Sequence, residues 1–359
     1  MKKRTKIVVD AMGGDFAPQA IVDGAVCACR EYRVEIILVG KKDIIKNELK
    51  KLNASYLPIT IKHASEVIKM VDNPLDVVRK KKDSSILVGM EIIKEKKADA
   101  FVSAGNSGAV LSAGLFVLKT IKGIDRPAIA TIMPSLTGNI IVADVGANNT
   151  CKPFNLTQFA IMSSVYSKYF LKCQNPRVAV LSNGEEETKG TEVIKHTNSL
   201  LKQSSLNYIG YVEGRDIFKG NVDVVICDGF TGNVLLKVAE GTAEFFDKAL
   251  REEINSTLFS KIGYLFSKRS FSNLKKRIDY SEYGGAPLLG VNAPVIIGHG
   301  RSTSHAIKNA VRAAMEFAET NVIYHILNDL EVNKDLHTIA KKPSFIDKVL
   351  HLKKSDHES

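Results

Sequence analysis

The chain has 359 residues, of which 45% are hydrophobic and 25% charged, with a formal net charge of +11. These values are typical of a globular protein that buries a sizeable core. Its longest mostly apolar run, residues 109–118, is too short to span a bilayer and excludes an integral membrane protein. The positive charge indicates an anionic partner, and its sign alone leaves nucleic acid, acidic lipid and acidic protein open.

Short segments rich in Val and Ile alternate with longer amphipathic segments. This alternation is typical of βαβ units around a mostly parallel sheet flanked by helices, so the predicted fold class is α/β. Strands are predicted near residues 6–10, 34–39, 98–103, 139–145, 177–181, 222–228 and 294–298. Helices are predicted over residues 17–32, 107–121, 155–172, 190–203, 232–254 and 304–327.

The chain shows no internal repeat and no Pro/Ser-rich linker. We therefore expect residues 1–340 to form a single α/β catalytic unit, with residues 255–278 protruding from it as an amphipathic helical arm. Residues 341–359 are rich in Lys, Ser and His and are predicted to be a flexible tail. The basic N-terminus leads directly into the first strand without a secretory signal, so we expect a cytoplasmic protein.

Loops rich in Gly, Asn, Ser and Asp follow six of the predicted strands. They are residues 10–15, 103–108, 144–149, 182–190, 228–233 and 298–302. Ligands of open α/β sheets bind outside the carboxyl ends of the strands, where helix N-termini offer backbone N–H groups. The six loops are therefore expected to meet at one polar site. Each loop taken alone also suits an ordinary strand-to-helix turn with a capping residue.

Standard motifs for other functions are missing from the sequence. No G-x-G-x-x-G follows the first strand, and no phosphate-binding P-loop occurs, which disfavours an NAD-dependent dehydrogenase and a nucleotide hydrolase. Ser107 with His299 would be a weak candidate for a nucleophile and base, because the surrounding loop lacks the G-x-S-x-G pattern. No recognised nucleic-acid motif accompanies the basic charge. The dehydrogenase and the nucleic-acid-binding protein remain alternatives.

Metal and disulfide chemistry are not indicated. The five cysteines form no C-x-x-C pair, and carboxylates do not cluster at ligand spacing. We therefore expect neither a metal ion nor another cofactor.

Six blocks of sequence carry a resemblance that is more specific than any one loop. They are VDAMGGD (9–15), SAGNSGAVLSAGL (103–115), KGIDRPA (122–128), DVGAN (144–148), DGFTGNVLLK (228–237) and YGGAPLLGVNAPVIIGHGRS (283–302). In this order they resemble the PlsX family of phosphate acyltransferases, and the similarity runs from residue 6 to about residue 320. The chain departs from the family pattern at Ser107, at residues 182–183 and at residues 149–150.

The resemblance implies a homodimer with a fold similar to isocitrate and isopropylmalate dehydrogenases. It also implies the reaction of acyl carrier protein (ACP) thioesters with inorganic phosphate, giving acyl phosphate and free ACP. The acyl phosphate would be used by a membrane glycerol-3-phosphate acyltransferase, in the first step of phosphatidic acid synthesis for bacterial phospholipids.

Phosphate is already largely ionised near neutrality, so it can attack a thioester without a strong base. Such a site needs an anion cradle and donors for the tetrahedral oxyanion. The candidate catalytic residues are Lys189, Asn233 and His299. The candidate phosphate- and substrate-binding residues are Asn106, Ser107, Gly108, Asp144, Asn148, Asp228 and Gly232. His299 is either a proton donor to the leaving thiolate or a residue that orients its loop, and Lys189 is alternatively a solvated lysine.

The arm at residues 255–278 combines apolar and basic side chains at helical spacing. Its candidate contact residues are Leu258, Ile262, Leu265, Phe266, Lys268, Arg269 and Lys275. This composition is typical of a helix that lies on an anionic membrane surface, and acidic ACP is an alternative partner. The other interpretation is a pair of helices packed on the core. We expect a cytoplasmic protein that associates peripherally with the membrane and does not bind nucleic acid.

Overall fold

The computed structural model describes residues 4–341. The predicted flexible tail lies outside these residues apart from its first residue, Lys341. The strands are β1 (Thr5–Asp10), β2 (Val34–Gly40), β3 (Ile59–His63), β4 (Ala100–Ser103), β5 (Ala128–Ser135), β6 (Gly138–Ala143), β7 (Val178–Leu181), β8 (Tyr208–Val212), β9 (Val224–Ile226), β10 (Ala286–Leu289) and β11 (Val295–Ile297).

Helices precede and follow most of these strands. They are α1 (Gln19–Glu31), α2 (Lys42–Lys51), α3 (Pro74–Lys80), α4 (Ser85–Lys94), α5 (Ser107–Ala113), α6 (Pro153–Phe170), α7 (Glu192–Leu201), α8 (Gly229–Ser256), α9 (Leu258–Ile278), α10 (Ser304–Glu319), α11 (Val322–Val332) and α12 (Asp335–Lys341). A π-helical turn, Gly114–Leu118, continues α5.

All of these strands belong to one sheet, in the order β3-β2-β1-β4-β11-β10-β5-β6-β9-β7-β8. Strands β3, β2, β1, β4 and β11 run parallel to each other, and strands β6, β9, β7 and β8 form a second parallel group. The pairings β11–β10, β10–β5 and β5–β6 are antiparallel. Because three reversals separate the two parallel groups, these groups run in opposite directions.

Helices cover both faces of the sheet, as expected for strands buried on both sides. Within β1, Ile7 and Val9 belong to the core layer formed with α1 and α10, and Val8 points into the opposite layer with α4. The predicted α/β class with a mostly parallel sheet is therefore confirmed.

Several predicted elements differ from the structure. The helix predicted over residues 304–327 is two helices, α10 and α11, since the backbone turns at Asn321, which has φ of 50°. The antiparallel strands β5 and β10 escaped prediction, because a search for βαβ units expects each strand to be followed by a helix.

The arm leaves the sheet as an extension of α8. Only Gly229 and Gly232 of α8 are buried, and α9 has no buried residue. Leu265 is 69% exposed and Phe266 is 89% exposed. α9 packs against α8, and none of the described helices is long and apolar enough to cross a membrane.

The far end of α9 is fixed to the sheet. The Arg277 guanidinium donates hydrogen bonds to the carbonyl oxygens of Ser135 and Leu136, in the turn between β5 and β6. The predicted arm therefore continues from α8 at one end and is held to the β5–β6 turn by Arg277 at the other.

Gly232 packs closely against the turn that follows β6. A β-carbon at this position would lie 1.9 Å from the Asp144 carbonyl oxygen. We expect Gly232→Ala to lower the free energy of unfolding by about 2 kcal/mol or more, because either the helix or the turn must move.

The matched control is Gly241→Ala in the same helix, where a β-carbon would meet nothing within 4 Å. This variant should gain about 0.5–1 kcal/mol from helix propensity. Chemical denaturation of both variants measures the difference. Equal stability of Gly232→Ala and Gly241→Ala would contradict the proposed close contact.

Candidate active site

The six polar loops form two clusters and do not lie at the same end of the sheet, and that both clusters belong to one site stays a prediction. Residues 10–15, 103–108 and 298–302 follow β1, β4 and β11 and form what we call the first loop cluster. Residues 144–149, 182–190 and 228–233 follow β6, β7 and β9 and form the second loop cluster. The two sets of strands run in opposite directions, so their carboxyl ends point in opposite directions along the sheet.

Backbone and carboxylate hydrogen bonds hold the first loop cluster together. The Asp15 N–H donates to the Gly300 carbonyl oxygen at 2.8 Å, which joins two of its loops. The Ser103 hydroxyl donates to the buried Asp10 carboxylate at 2.7 Å, which joins the third. Burial raises the pKa of Asp10, and hydrogen bonds from its neighbours act against this shift. These three loops therefore form one rigid unit.

Within the first loop cluster, Asn106 binds the protein's own backbone. Its amide nitrogen donates to the carbonyl oxygens of Met70, at 2.9 Å, and Asp72, at 3.1 Å. Its side-chain oxygen accepts from the Ala109 N–H at 3.0 Å and caps α5. Asn106 therefore positions the segment before α3, and its predicted contact with substrate stays a prediction.

The two residues after Asn106 differ in their surroundings. Ser107 is exposed at the first position of α5. Gly108 lies against Pro74, since a β-carbon at Gly108 would lie 2.6 Å from Pro74 Cγ. Of this predicted trio, Ser107 thus has the side chain most available to a ligand.

A buried carboxylate organises the second loop cluster. Asp144 accepts hydrogen bonds from the backbone N–H groups of Ile129, Gly146, Ala147 and Asn148 and from the Asn148 amide. Burial raises the pKa of Asp144, and this set of donors counteracts the shift. Asn148 and Asp144 therefore set the shape of their turn, and the predicted contact of these two residues with substrate stays a prediction.

The same turn receives the start of α8. The Gly229 N–H donates to the Asn148 carbonyl oxygen at 2.8 Å. Asp228 caps the helix, since its carboxylate accepts from the Thr231 N–H at 2.9 Å and from the Thr231 hydroxyl at 2.7 Å. Asp228 and Gly232 thus determine where α8 begins and how closely it packs.

The loop between β7 and α7 presents a lysine. The Gly190 N–H donates to the side-chain oxygen of Asn183 at 2.9 Å, which closes the loop. Lys189 is exposed beside this closure, and the ion pairs found within residues 4–341 do not include it. The structure therefore leaves a positive charge at the rim of the second loop cluster.

A cavity of about 890 Å³ opens between these loops. Its lining includes apolar side chains, such as Leu156, Leu181 and Val193, and polar side chains at Asn183 and Thr231. This volume lies in the range of small-molecule binding sites. A largely apolar cavity with a few polar groups is thus adjacent to Lys189.

One face of α8 connects the two loop clusters. Asn233, Lys237 and Glu240 follow each other at helical spacing, so they share a face of the helix. Asn233 lies over Gly146 in the second loop cluster, 3.9 Å from an ideal β-carbon at that glycine. Lys237 Nζ lies 3.4 Å from His299 Nε2 in the first loop cluster.

His299 is half-buried where α8 meets the first loop cluster. Burial lowers the pKa of His299, and the nearby Lys237 ammonium lowers it further. The backbone N–H of Arg301 donates to His299 Nδ1 at 3.1 Å.

Sequence reasoning selected His299 and missed Lys237. The signal for Lys237 was its spacing four residues after Asn233 in the block 228–237.

The structure thus separates the predicted site residues into two sets. The first loop cluster contains Asn106, Ser107, Gly108 and His299, and the second contains Asp144, Asn148, Lys189, Asp228, Gly232 and Asn233. No group of three or more His, Cys, Asp or Glu side chains in the described range could hold a metal ion. The two sets come together along α8.

Comparison with solved structures defines the class of fold. A phosphotransacetylase from Streptococcus pyogenes superimposes with a TM-score of 0.60 at 19% identity, covering 89% of this chain and 95% of that one. The EutD phosphotransacetylase from Staphylococcus aureus gives a TM-score of 0.56 at 18% identity, covering 88% and 94%. The chain therefore has the α/β fold that these two proteins share.

Sequence comparison identifies the family. The model of the FA_synthesis family, described as fatty acid synthesis protein, matches residues 5–325. A phosphate acyltransferase of Geotalea daltonii is 55% identical over 332 residues, covering 92% of this chain and 96% of that protein. One from Geobacter sulfurreducens is 54% identical over 326 residues, covering 91% and 94%. The chain belongs to the PlsX family of phosphate acyltransferases, as its sequence blocks predicted.

The arrangement around Asp144 gives a stability prediction. In Asp144→Asn, one side-chain oxygen becomes an NH₂ group that faces the N–H donors it used to accept from. We expect the free energy of unfolding to fall by about 3 kcal/mol or more, since buried donors lose their acceptor.

Asp228→Asn is the matched control, because Asn caps helices as well as Asp and the Thr231 hydroxyl can reverse its hydrogen bond. Its stability should stay within about 0.5 kcal/mol of the unmodified protein. Thermal and chemical denaturation measure both variants. A similarly small loss in Asp144→Asn would show that this carboxylate does not organise the turn.

Proposed function

We propose that this protein transfers a fatty acyl group from acyl-ACP to inorganic phosphate, releasing acyl phosphate and ACP. The observation that carries the proposal is the similarity over more than 90% of the chain to proteins named phosphate acyltransferase. Three features of the site support the proposal, because phosphate and an acyl thioester need them. They are a lysine without a described ion-pair partner, a cavity with apolar walls and exposed hydrogen-bond donors.

The proposed chemistry is a direct attack. A phosphate oxygen forms a bond to the thioester carbonyl carbon, and the carbonyl oxygen becomes the oxyanion of a tetrahedral intermediate. The C–S bond then breaks, and the ACP thiolate leaves and takes up a proton. Lys189 and Asn233 supply positive charge and a hydrogen-bond donor to the substrate oxygens. Ser107 and the neighbouring backbone N–H groups of the first loop cluster bind substrate polar groups.

The apolar side of the cavity is suited to the start of the acyl chain. Leu156, Leu181 and Val193 line it, and the charged rim at Lys189 lies near its polar side chains. An acyl thioester bound there would place its apolar chain away from water and its reacting carbonyl near the lysine.

The finer assignments of the family belong to the same proposal. They are a homodimer, a fold related to isocitrate and isopropylmalate dehydrogenases, and a place in phosphatidic acid synthesis upstream of a membrane glycerol-3-phosphate acyltransferase. The exposed apolar residues along α8, including Phe230, Val234 and Val238, are consistent with a surface that a second subunit covers.

We also propose that the arm contacts an anionic membrane surface. Phe259, Leu265 and Phe266 are among its most exposed apolar side chains. Lys268, Arg269 and Lys275 on the same helix are exposed as well. An amphipathic helix of this kind gains from burying apolar area and from electrostatic attraction to acidic headgroups. Acidic ACP would compete for the basic residues.

The reaction is tested by incubating purified protein with acyl-ACP, with and without inorganic phosphate. We expect ACP thiol to appear only with phosphate, together with acyl phosphate detected by mass spectrometry. Intact-mass spectra should show no acyl adduct on Ser107 or on a cysteine. A stable adduct would rule out direct attack, and release of ACP without acyl phosphate would rule out the transferase.

Variants in the same assay test the assigned residues. Lys189→Ala and Asn233→Ala should each lower kcat by a factor of roughly 10² to 10³, the usual effect of removing one preorganised donor. Lys202→Ala is a matched control, because this lysine is also exposed but pairs with Glu187 away from the cavity lining. Near-normal turnover in both folded site variants would show that the assignment is wrong.

Membrane binding is tested by flotation with phosphatidylglycerol liposomes at low and high salt. We expect binding that weakens with salt, since each basic residue near an anionic bilayer contributes about 1 kcal/mol. Leu265→Glu should reduce binding while acyl transfer in solution survives. Leu75→Glu, at a leucine 60% exposed outside the arm, should bind normally. Binding unaffected by Leu265→Glu would contradict the membrane contact.

A further inference from the structure

The loop between β7 and α7 fixes the backbone on both sides of Lys189. The Lys189 N–H donates to the Glu186 carbonyl oxygen at 2.9 Å and closes a turn over residues 186–189. The next N–H, that of Gly190, donates to the side-chain oxygen of Asn183 at 2.9 Å. Because both peptide groups that flank Lys189 are held, the direction in which its side chain leaves the backbone is set.

The chain turns sharply directly after Lys189. Gly190 has φ of 85°, in the left-handed region that favours glycine. A β-carbon at Gly190 would lie 2.8 Å from Ile194 Cγ2, in the first turn of α7. Gly190 and Asn183 both line the cavity of the second loop cluster. Lys189 therefore comes directly before one residue of the cavity wall, and its loop is closed by another.

Gly184 makes room for the aliphatic part of the Lys189 side chain. Gly184 is buried, and a β-carbon built on it would lie 2.7 Å from Lys189 Cγ and 3.3 Å from Lys189 Cδ. The same β-carbon would lie 2.8 Å from a carboxylate oxygen of Glu186. Atoms at such distances must move apart, so a side chain at position 184 would displace the lysine.

The backbone of Gly184 does not itself require glycine through its φ, which lies outside the left-handed region. The reason for glycine at this position is thus the space that the Lys189 side chain occupies. Alanine at position 184 would act on the neighbouring side chains, Lys189 first, and would leave φ unstrained.

A confined lysine is better suited to catalysis than a free one. An exposed lysine has a flexible four-carbon stem and loses rotamer freedom when its ammonium group binds a substrate oxygen. A stem that already follows one path loses less of this freedom. It also keeps the charge where the reaction needs it, and misplacement of a catalytic group by about 1 Å can cost 10²-fold in rate.

We infer that Asn183 and Gly184 are positioning residues for Lys189. This inference rests on the proposed function, in which Lys189 supplies positive charge to the substrate oxygens, and it deepens it by naming what holds that charge in place. Asn183 acts on the backbone through the Gly190 N–H, and Gly184 acts on the lysine stem by the space it leaves.

The role of Gly184 is tested by steady-state kinetics of acyl transfer. Gly184→Ala should lower kcat roughly 10- to 100-fold, because the lysine stem is displaced. Gly241→Ala is the matched control, since a β-carbon there would meet nothing within 4 Å, and it should keep a normal kcat. A normal kcat in folded Gly184→Ala would overturn the assignment.

The role of Asn183 is tested by two substitutions. Asp keeps an acceptor oxygen for the Gly190 N–H, and Leu has a similar size but no acceptor. We expect Asn183→Leu to lower kcat about 5- to 10-fold, the effect of losing one hydrogen bond, and Asn183→Asp to keep a higher kcat. An equal kcat in the two variants would show that this hydrogen bond does not position the lysine.

A double-mutant cycle separates positioning of Lys189 from a general effect on the loop. In Lys189→Ala the Cγ atom is absent, so adding Gly184→Ala or Asn183→Leu should cause little further loss of kcat. A further loss as large as in the unmodified protein would overturn the inference. If Lys189→Ala itself keeps a normal kcat, the role of Lys189 in the proposed function fails, and the positioning of a catalytic lysine fails with it.

NMR of protein with ¹³C-dimethylated lysines provides a readout that does not depend on acyl transfer. The Lys189 signal is assigned by its loss in Lys189→Ala. Gly184→Ala should shift this signal and leave that of Lys248, an exposed lysine of α8, in place. An unmoved Lys189 signal would overturn the inference. If the signal moves but the unmodified protein forms no acyl phosphate, the proposed function fails while the contact between Gly184 and Lys189 stands.

Discussion

The contact between α8 and the turn after β6 is the constraint on which the site depends. At Gly232 the helix backbone lies so close to the Asp144 carbonyl oxygen that a side chain cannot fit. This contact fixes both the position of α8 and its rotation about its own axis. The rotation matters because it places Asn233, Lys237 and Glu240 on the face that passes the loops.

The buried carboxylate of Asp144 makes that contact possible. A tight turn leaves several backbone N–H groups pointing inward, and each would be unsatisfied without an acceptor. Asp144 accepts from three of them, from the Ile129 N–H of β5 and from the Asn148 amide. The polar residues of the second loop cluster thus include two kinds. Asp144, Asn148 and Asp228 hold the architecture, and Lys189 and Asn233 remain exposed.

One helix also connects the candidate site to the exposed arm. α8 spans 28 residues, a length of about 42 Å, with the site at its first turns and the arm at its far end. α9 returns along α8 and is tied to the β5–β6 turn through Arg277. A surface that binds the arm would therefore be held at a defined distance from Lys189 and His299.

The sequence by itself determined the fold class, the family and the polar loops, because hydrophobic periodicity and collinear motifs are local properties of the chain. It also selected residues that the structure places around the candidate site, such as Lys189, Asn233 and His299. It could not show that the loops form two clusters, since that depends on three successive antiparallel pairings, of which β10–β5 joins strands distant in sequence.

Nor could it distinguish Asn106, which binds the backbone of residues 70–72, from Asn233, which remains exposed. The two residue types are identical, and only their neighbours in space differ. The meeting of Lys237 with His299 was likewise decided by tertiary structure. Sixty-two positions separate them in sequence, and the docking angle of α8 brings their nitrogens to 3.4 Å.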